Sequence, residues 1–368
     1  MGARIVLFGA TGYTGGRTAE AMAARGLQPV LAGRDPARLA ALAERLGGLD
    51  TARADVTDAR SVGALVGPGD VLVSTVGPFT QLGAAAVSAA IAAGAIYVDS
   101  TGEPPFVRRV YEQYGPVAER AGGALLTAFG SDYVPGVLAG ALALRAAGEG
   151  ADRVDVGHFV TGGGKGQPFS RGTIRSVAGL ALEPLYSWRD GELRTEPAGA
   201  RMRTFDVAGR PLPAVTIGAG EQFALPRLAP ALRTVDVYLG WFGPATGAVH
   251  AGSRVAPAVA RVPGVRRAVT GLAGLVAGRA SAAPAAAALA GAQTHVVAEV
   301  FDAAGVLLAR TRLSGPDAYT ATAGLLSWAA GRAAEHGVRG TGALDAVTAF
   351  GLDELQAGAA EAGITQIS

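Results

Sequence analysis

The chain has 368 residues, of which 49% are hydrophobic and 17% charged, and its formal net charge is +2. The length favours two domains, the composition indicates a folded protein, and so small a charge argues against a nucleic-acid partner. Because the chain has no cysteine, disulfides, thiolate metal sites and cysteine nucleophiles are excluded. We expect the chain to begin with a strand rather than a signal peptide, and Arg279 and Pro284 interrupt its most apolar stretch. We therefore expect a cytoplasmic protein without a membrane span.

The first motif is a strand, a glycine turn and a helix at the start of the chain. An apolar strand over residues 4–8 leads to Gly9, Gly12 and Gly15, and a helix-forming stretch follows directly. In a dinucleotide-binding fold, the first glycine allows a sharp turn, the second lets the backbone approach the pyrophosphate, and the third lets the helix lie close to the sheet. The N–H groups of the helix's first turn then face the phosphates. The other residues of this predicted cofactor site are Thr11, Tyr13 and Thr14.

The alternation of apolar strands and helices continues to about residue 130. Continuous apolar strands of this kind are typical of a parallel sheet that is covered on both faces. Beyond residue 130 the apolar residues alternate, and the turn at 302–305 between two β-rich segments predicts a hairpin. The fold class is therefore α/β: an N-terminal Rossmann doubly wound parallel sheet, with a second α+β domain built on a largely antiparallel mixed sheet. We place the nucleotide-binding domain at 1–130, a substrate and dimerisation domain at 131–315, and C-terminal helices that pack back across both at 316–368.

The end of the second strand indicates which dinucleotide is bound. In this fold an acid at that position bonds the ribose 2′-hydroxyl of NAD, whereas an arginine accommodates the 2′-phosphate of NADP. Here Gly33 and Arg34 occupy the position, which favours NADP. Asp35 is the competing candidate for a ribose acid. Its place before Pro36 also explains it as the N-cap of the next helix.

Further residues border the predicted cleft because ligands bind at the carboxyl ends of parallel strands. Asp55 and Val56 follow the third strand, where the adenine edge lies, although a simple strand-end turn would also explain Asp55. A turn after the fourth strand and a segment after the fifth should pass near the nicotinamide half. The cofactor-site residues predicted there are Thr75, Val76, Gly77, Pro78, Phe79, Thr101 and Gly102.

Several oxidoreductase chemistries are excluded by missing residues. Short-chain dehydrogenases need a tyrosine four residues before a lysine, but Lys165 is the only lysine and Thr161 stands at that position. Semialdehyde dehydrogenases need a cysteine nucleophile, which this chain lacks. The four histidines do not have metal-ligand spacing, so we predict no metal site and interpret them as packed or surface residues.

Four sequence stretches resemble the saccharopine dehydrogenase-like oxidoreductases. They are the turn at 9–15, the strand end LAGR at 31–34, the loop VGPF at 76–79 and the stretch YVDSTGE at 97–103. The stretch FGSDYVP at 129–135 is similar to the family's G-F-D-S-x-P, with the residues in a different order. Within the family, the chain is most similar to the actinobacterial trans-acting enoyl reductase branch. Past residue 140 the likeness rests on segments 171–176 and 317–322. The resemblance implies NADP-dependent hydride transfer to a C=C or C=N bond.

Three residues are candidates for catalysis. Asp132 and Tyr133 follow the sixth strand, where Tyr133 could donate a proton and Asp132 could instead cap the next helix. Lys165 lies in a glycine-rich loop, where its ammonium could anchor an acidic substrate or simply be solvated. We expect the substrate pocket to lie between these residues, the turn at 77–79 and the strand end at 99–103.

Three functions remain open at this point. The first is an NADPH-dependent reductase in secondary metabolism or lipid assembly, acting on a small-molecule substrate that is possibly carrier- or acyl-bound. The second is a saccharopine-type amino-acid dehydrogenase that reduces an imine. Its dicarboxylate substrate would need arginines of the second domain, and those available are Arg171, Arg175, Arg201, Arg203 and Arg210. The third is a non-enzymatic NADP-binding sensor or scaffold. In each case we expect a homodimer.

Overall fold

A computed structural model describes residues 3–165, 170, 171, 174, 184–260, 264, 271, 279, 281 and 283–367, with residues 254–260 described by their backbone only. The predicted helix after Ser176 and the arginine Arg175 lie outside the described residues. The chain divides into two compact units. The first unit comprises Met1–Ser131 and Ala318–Gly363, and the second comprises Asp132–Asp317 and Ile364–Ser368.

The described strands follow one another along both units. In chain order they are β1 (Ile5–Phe8), β2 (Val30–Gly33), β3 (Thr51–Arg53), β4 (Val71–Ser74), β5 (Ile96–Asp99), β6 (Ala124–Leu126), β7 (Arg153–Thr161), β8 (Leu185–Arg189), β9 (Glu192–Glu196), β10 (Met202–Val207), β11 (Arg210–Ile217), β12 (Thr234–Leu239), β13 (Gln293–Phe301), β14 (Leu307–Gly315), β15 (Gly342–Ala343) and β16 (Thr365–Ile367).

The described helices connect these strands. In chain order they are α1 (Tyr13–Ala24), α2 (Pro36–Arg45), α3 (Ala59–Gly63), α4 (Phe79–Ala93), α5 (Pro104–Arg109), α6 (Gly115–Arg120), α7 (Val134–Ala147), α8 (Glu221–Leu228), α9 (Thr246–Ala260), α10 (Ala286–Leu289), α11 (Ala318–His336), α12 (Ala346–Phe350) and α13 (Leu352–Glu361). A π-helical turn, Val110–Tyr114, joins α5 to α6, and a 3₁₀ turn, Gly243–Ala245, precedes α9.

The first unit is built on a parallel seven-stranded sheet with the strand order β15-β6-β5-β4-β1-β2-β3. The chain therefore reverses direction across the sheet between β1 and β4, and this is where an open α/β sheet binds its ligand. The four residues of β1 and of β4 are fully buried, as the continuous apolar sequence predicts. Helix α11 packs against α1 and against strands β1, β4 and β5 of this sheet.

In the part of the second unit that the structure describes, the strands form a nine-stranded mixed sheet. Its main path is β10-β11-β12-β7-β13-β14-β16, and the hairpin β8–β9 pairs with β12. Apart from the parallel pair β7–β12, the neighbouring strands are antiparallel. Helix α7 packs on β7, β13 and β14, and α8 packs on α7 and β12.

The predicted fold class is confirmed, since a parallel Rossmann-like sheet precedes a mostly antiparallel one. The predicted hairpin is present as β13 and β14, which pair antiparallel from Thr294 with Gly315 to Phe301 with Leu307. Among the described residues, no helix is both long and apolar enough to cross a membrane.

Candidate functional site

The glycine turn after β1 is tightly folded around Gly9. Gly9 has a φ of 91°, a left-handed value that L side chains rarely adopt, and its carbonyl accepts a hydrogen bond from the N–H of Gly12 at 2.9 Å. A Cβ on Gly15 would lie 2.2 Å from the same carbonyl oxygen, so this position has no room for a side chain. Gly12 differs, because a Cβ there would meet only the Gly9 oxygen, at 3.2 Å. The turn therefore brings the start of α1 close to the end of β1.

The N-terminus of α1 fits an anionic group. Gly12 is its N-cap residue, and no side chain makes a capping hydrogen bond there. The N–H groups of the first helical turn thus have no intrahelical acceptor and point out of the helix at its positive end. This is how a pyrophosphate is held in dinucleotide-binding folds.

The start of helix α11 lies beside this turn. The ring of Tyr319 meets the ring of Tyr13 edge-on, with 5.0 Å between the centroids. One turn further along α1, Arg17 donates hydrogen bonds to the hydroxyls of Thr320 at 2.6 Å and Tyr13 at 3.3 Å. Thr11 is held from another side, because Arg38 donates to its carbonyl at 2.7 Å. Helix α11 is therefore part of the surroundings of the glycine turn.

The ends of β2 and β3 carry exposed positive charge. Arg34 and Arg53 are both exposed, and both act electrostatically on Asp55. Hydrogen bonds from Thr57, together with these two charges, lower the pKa of Asp55. Asp35 caps α2 by accepting from the N–H of Arg38 at 3.1 Å, as its place before a proline predicts. With Asp35 engaged as a cap, Arg34 is the side chain at the end of β2 that suits a 2′-phosphate.

Buried acids fix the loops that follow β4 and β5. Glu103, which is 1% exposed, accepts hydrogen bonds from the N–H groups of Phe79 at 2.8 Å and Thr80 at 2.9 Å. It thereby holds the start of α4, directly after the predicted cofactor residues Thr75, Val76, Gly77 and Pro78. The Gly77–Pro78 peptide bond is cis. The predicted site residue Thr101 is also buried, and its hydroxyl accepts from the N–H of Glu103.

Asp99 ties β5 to the segment after β6. Its carboxylate is fully buried and accepts from the N–H groups of Thr101 at 2.8 Å and Ala128 at 2.9 Å, and from the hydroxyl of Thr127 at 2.8 Å. Burial raises the pKa of Asp99 to about 6, against the opposing effect of these hydrogen bonds. The acids of the YVDSTGE stretch thus have well-defined structural roles at the carboxyl edge of the sheet.

The three predicted catalytic residues all belong to the second unit. Asp132 is partly exposed, Tyr133 is 3% exposed, and Lys165 is exposed in the loop after β7. Tyr133, not Asp132, is the N-cap residue of α7, and it makes no side-chain capping bond. The alternative in which Asp132 caps this helix is therefore wrong.

Asp132 interacts with two buried ionisable groups that the sequence did not single out. The Nε2 of His158 lies 2.6 Å from Oε1 of Glu221, and these side chains are 4% and 0% exposed. Both act electrostatically on Asp132. His158, which the sequence indicates as a packed or surface residue, is buried. Its partner lies 63 residues further along the chain, a separation that no local sequence pattern spans. In the described part of the chain, no group of three or more His, Cys, Asp or Glu side chains could hold a metal ion.

Two of the arginines that could bind a dicarboxylate substrate form ion pairs with acidic side chains of the second unit. Arg203 is bonded to Asp155 and Glu299, and Arg201 to Glu196 and Asp236. Three of these acids lie on the neighbouring strands β7, β12 and β13, where Asp155 is in register with both Asp236 and Glu299. Arg171 also has a partner, and Arg210 is exposed next to the β10–β11 turn. Neither Arg201 nor Arg203 is thus left to bind a substrate carboxylate.

A known protein family matches the N-terminal part of the first unit. Residues 5–126 match the model of the saccharopine dehydrogenase NADP binding domain. This part of the first unit is thus similar to saccharopine dehydrogenase-type NADP-binding domains. The predicted family resemblance and the predicted cofactor, NADP, are both confirmed by this match.

Curated relatives match part of the chain. A putative trans-acting enoyl reductase of Mycobacterium tuberculosis is 38% identical over 182 residues, which cover 47% of this chain and 43% of that protein. A trans-acting enoyl reductase of Mycobacterium ulcerans is 36% identical over 137 residues, which cover 36% of this chain and 33% of that protein. The matched part thus spans less than half the length of either relative.

A solved structure matches the whole chain. Apo saccharopine dehydrogenase (L-Glu forming) from Saccharomyces cerevisiae superimposes with a TM-score of 0.60 over 100% of both chains, at 14% sequence identity. At so low an identity the match shows a shared fold and says nothing further about the reaction.

Proposed function

We propose that the protein is an NADPH-dependent reductase that transfers hydride to the C=C bond of a small-molecule or acyl-type substrate. The observation that carries this proposal is the uncapped N-terminus of α1, which follows the glycine turn, with Arg34 exposed at the end of the neighbouring strand β2. These features lie in a domain whose family binds NADP. When bound, NADPH supplies the hydride.

Different parts of the first unit bind different groups of NADPH. The first turn of α1 takes the pyrophosphate, and the missing side chain of Gly12 leaves space for its approach. Arg34 pairs with the 2′-phosphate through a charge-assisted hydrogen bond. One side of the cofactor site is formed by the residues after β4, which are Thr75, Val76 and Gly77. Glu103 fixes this segment by accepting a hydrogen bond from the N–H of Phe79.

Two observations favour a C=C bond over the C=N bond of a saccharopine-type amino-acid dehydrogenase. The relatives in the 36–38% identity range are named trans-acting enoyl reductases. In addition, Arg201 and Arg203 are paired with acids of their own sheet, so they do not offer the cationic site that a dicarboxylic amino acid needs. A carrier- or acyl-bound substrate and a homodimer remain predictions, as do roles for Tyr133 and Lys165.

The function is tested with the purified chain and two chemical probes. NADPH binding is measured by fluorescence titration, and NADPH consumption is then followed with crotonyl-coenzyme A as an enoyl thioester and with piperideine as a cyclic imine. We expect binding of NADPH and consumption with the thioester. Consumption with the imine alone would support the amino-acid dehydrogenase, and tight binding without consumption by either probe would support the sensor.

The predicted roles of Tyr133 and Lys165 are tested by substitution in the same assay. Tyr133→Phe should lower kcat if the hydroxyl donates a proton, and Lys165→Ala should raise KM if the ammonium binds substrate. Unchanged kinetics in both variants would remove both residues from the site.

A further inference from the structure

A pocket lies in the first unit at the C-terminal end of helix α11. It has a volume of about 200 Å³ and lies between the end of α11, the segment that leads to β15, and the junction of α12 with α13. All of its lining residues belong to the first unit. The glycine turn is at the other end of the helix, because α11 rises by about 18 Å between Thr320 and Arg332, at about 1.5 Å a residue. The pocket is therefore separate from the glycine turn.

The side chains around this pocket leave it with an excess of positive charge. Among the described residues, the ionisable side chains that line it are Arg332, His336, Arg339 and Glu354. The carboxylate of Glu354 accepts a hydrogen bond from Nε of Arg332, and its Oε2 lies 3.8 Å from Nη2 of Arg339. His336 is paired with Glu335 at 3.2 Å. Two guanidinium charges thus share the one carboxylate of Glu354, so a positive charge remains.

Both guanidinium groups have N–H donors that lack a protein acceptor. In the part of the chain that the structure describes, Arg332 donates only from Nε, and the side chain of Arg339 makes no hydrogen bond, since its distance to Glu354 is too long for one. A guanidinium group has a planar fork of N–H donors, which matches the oxygens of a carboxylate or a phosphate. Because both arginines line the same pocket, one oxyanion placed there can accept from both.

Contacts with the backbone place Arg339 beside the start of α13. Its own N–H donates to the carbonyl of Ala349 at 2.9 Å. Its guanidinium group lies against Gly351, where a Cβ would be 2.6 Å from Nη1, so the missing side chain of Gly351 leaves room for it. Arg332 is held in turn by Glu354. These contacts hold both cations at the pocket before a ligand binds, which reduces the conformational entropy that is lost on binding.

The inner side of the pocket is apolar. Ala349 and Phe350, which line it, are 1% and 2% exposed, and the ring of Phe350 meets the ring of Trp328 edge-on with 4.8 Å between the centroids. An apolar surface next to two cations suits an anion that carries an apolar group, because both parts of such a ligand then find a matching surface. The pocket is smaller than the roughly 300 Å³ at which sites for drug-sized ligands begin, so the ligand must be small.

We propose that this pocket binds a small organic oxyanion, a carboxylate or a phosphate monoester. Its oxygens pair with Arg332 and Arg339, and its apolar part covers Ala349 and Phe350. Glu354 competes with the ligand for the same two arginines, so its charge limits how tightly the anion binds. The site goes beyond the proposed reduction and does not depend on it.

The first experiment identifies the ligand class. Isothermal titration calorimetry of the full chain uses benzoate and phenyl phosphate as probes, and benzamide as a probe of similar shape without the charge. We expect the anions to bind and benzamide not to bind, and the tighter anion shows whether the site prefers a carboxylate or a phosphate. Inorganic phosphate should bind about tenfold more weakly than phenyl phosphate, because it lacks the apolar group. Equal affinity for these two phosphates would overturn the assignment of an organic ligand.

The second experiment locates the site with three variants. Arg339→Ala should weaken binding of the tighter anion by about tenfold or more, since it removes a charge-assisted pair. Glu354→Gln should strengthen binding by about three- to tenfold, because it removes the competing negative charge, and a merely structural ion pair would not produce this gain. Arg120→Ala, at an exposed position of α6 in the same unit, is the matched control and should change nothing. No binding to the wild type, or equal affinities of wild type and Arg339→Ala, would overturn the proposal.

The third experiment separates this site from the cofactor site. Saturation with NADPH should leave the affinity for the anion unchanged, and Arg339→Ala should leave the affinity for NADPH unchanged. Arg339 is exposed, so its substitution should not disturb the fold, and circular dichroism checks this. Displacement of the anion by NADPH would overturn the proposal of a separate site. If the anion binds as described but the chain oxidises no NADPH with any probe, the reductase proposal fails and the anion site stands.

Discussion

Glu103 and Phe79 are joined by a hydrogen bond of 2.8 Å from the backbone N–H of Phe79 to the buried carboxylate. Thr80 adds two more, from its N–H at 2.9 Å and its hydroxyl at 2.7 Å. A residue that follows β5 thus fixes the start of the helix that follows β4. In this unit, the carboxyl edge of the sheet is held together by side chain to backbone bonds between neighbouring loops.

The first prediction tests this bond. Glu103→Ala leaves the N–H groups of Phe79 and Thr80 without their acceptor, so the free energy of unfolding should fall by about 2–4 kcal/mol. Glu103→Gln keeps the shape and one acceptor oxygen and should lose less. Urea denaturation of both variants measures the difference. Equal stability of Glu103→Ala and wild type would show that water replaces the carboxylate without cost.

The second prediction separates two glycines of the turn. Gly15→Ala places a Cβ 2.2 Å from the Gly9 oxygen, so it should reduce the free energy of unfolding by about 2 kcal/mol or more. Gly12→Ala makes a single contact at 3.2 Å and should cost little stability but weaken NADPH binding strongly. Thermal unfolding and a fluorescence titration measure the two effects. Normal NADPH affinity in Gly12→Ala would place the pyrophosphate away from this turn.

The third prediction concerns the choice of cofactor. Arg34→Ala should weaken NADPH binding by about 1.5–3 kcal/mol, the value of a lost charge-assisted hydrogen bond, and leave NADH binding unchanged. Arg60→Ala, in α3 of the same unit, is the control for a general loss of positive charge. Equal losses for both cofactors would mean that Arg34 does not contact the 2′-phosphate.

Those parts of the site that depend on local sequence could be predicted from it. The strand, the glycine turn and α1 are contiguous, and Asp35 caps α2 through a residue only three positions away. The β13–β14 hairpin is similarly local, because its turn residues lie between the strands they join. In each case the chemistry of a few neighbouring residues decides the backbone conformation.

Contacts between distant residues could not be predicted in this way. Strand β16 pairs with β14 across about fifty residues, and Glu221 meets His158 from a helix that the sequence did not indicate. Helix α8 contains Pro226 and buries Glu221 and Gln222, so its sequence lacks the usual separation of apolar and polar positions. The contact between His158 and Glu221 depends on the packing of this helix, which no single-segment pattern encodes.

The fourth prediction follows from Asp155, whose burial raises its pKa to about 6. The folded protein therefore binds this proton more tightly than the unfolded chain, in which the pKa is close to 4. The associated stabilisation is fully present below about pH 4 and is lost as the pH rises through about 6. Relative to Asp155→Asn, the wild type should thus be more stable at pH 5 than at pH 8, by about 1 kcal/mol. Urea denaturation at both pH values checks this, and a difference of opposite sign would mean that Arg203 and Arg153 outweigh burial.

The fifth prediction concerns helix α11, whose start lies beside the glycine turn. Thr320 holds the guanidinium of Arg17 at 2.6 Å, and this places a positive charge within the first turns of α1, next to Tyr13. Thr320→Val removes the acceptor but keeps the side-chain volume, so NADPH affinity should fall by about three- to tenfold, the equivalent of one hydrogen bond. Because Thr320 is partly exposed, the free energy of unfolding should change little. Thr51→Val, at an exposed position of β3 in the same unit, is the matched control. If both variants bind NADPH as the wild type does, Arg17 contributes nothing to the cofactor site, and the contact between α1 and α11 serves only the packing of the first unit.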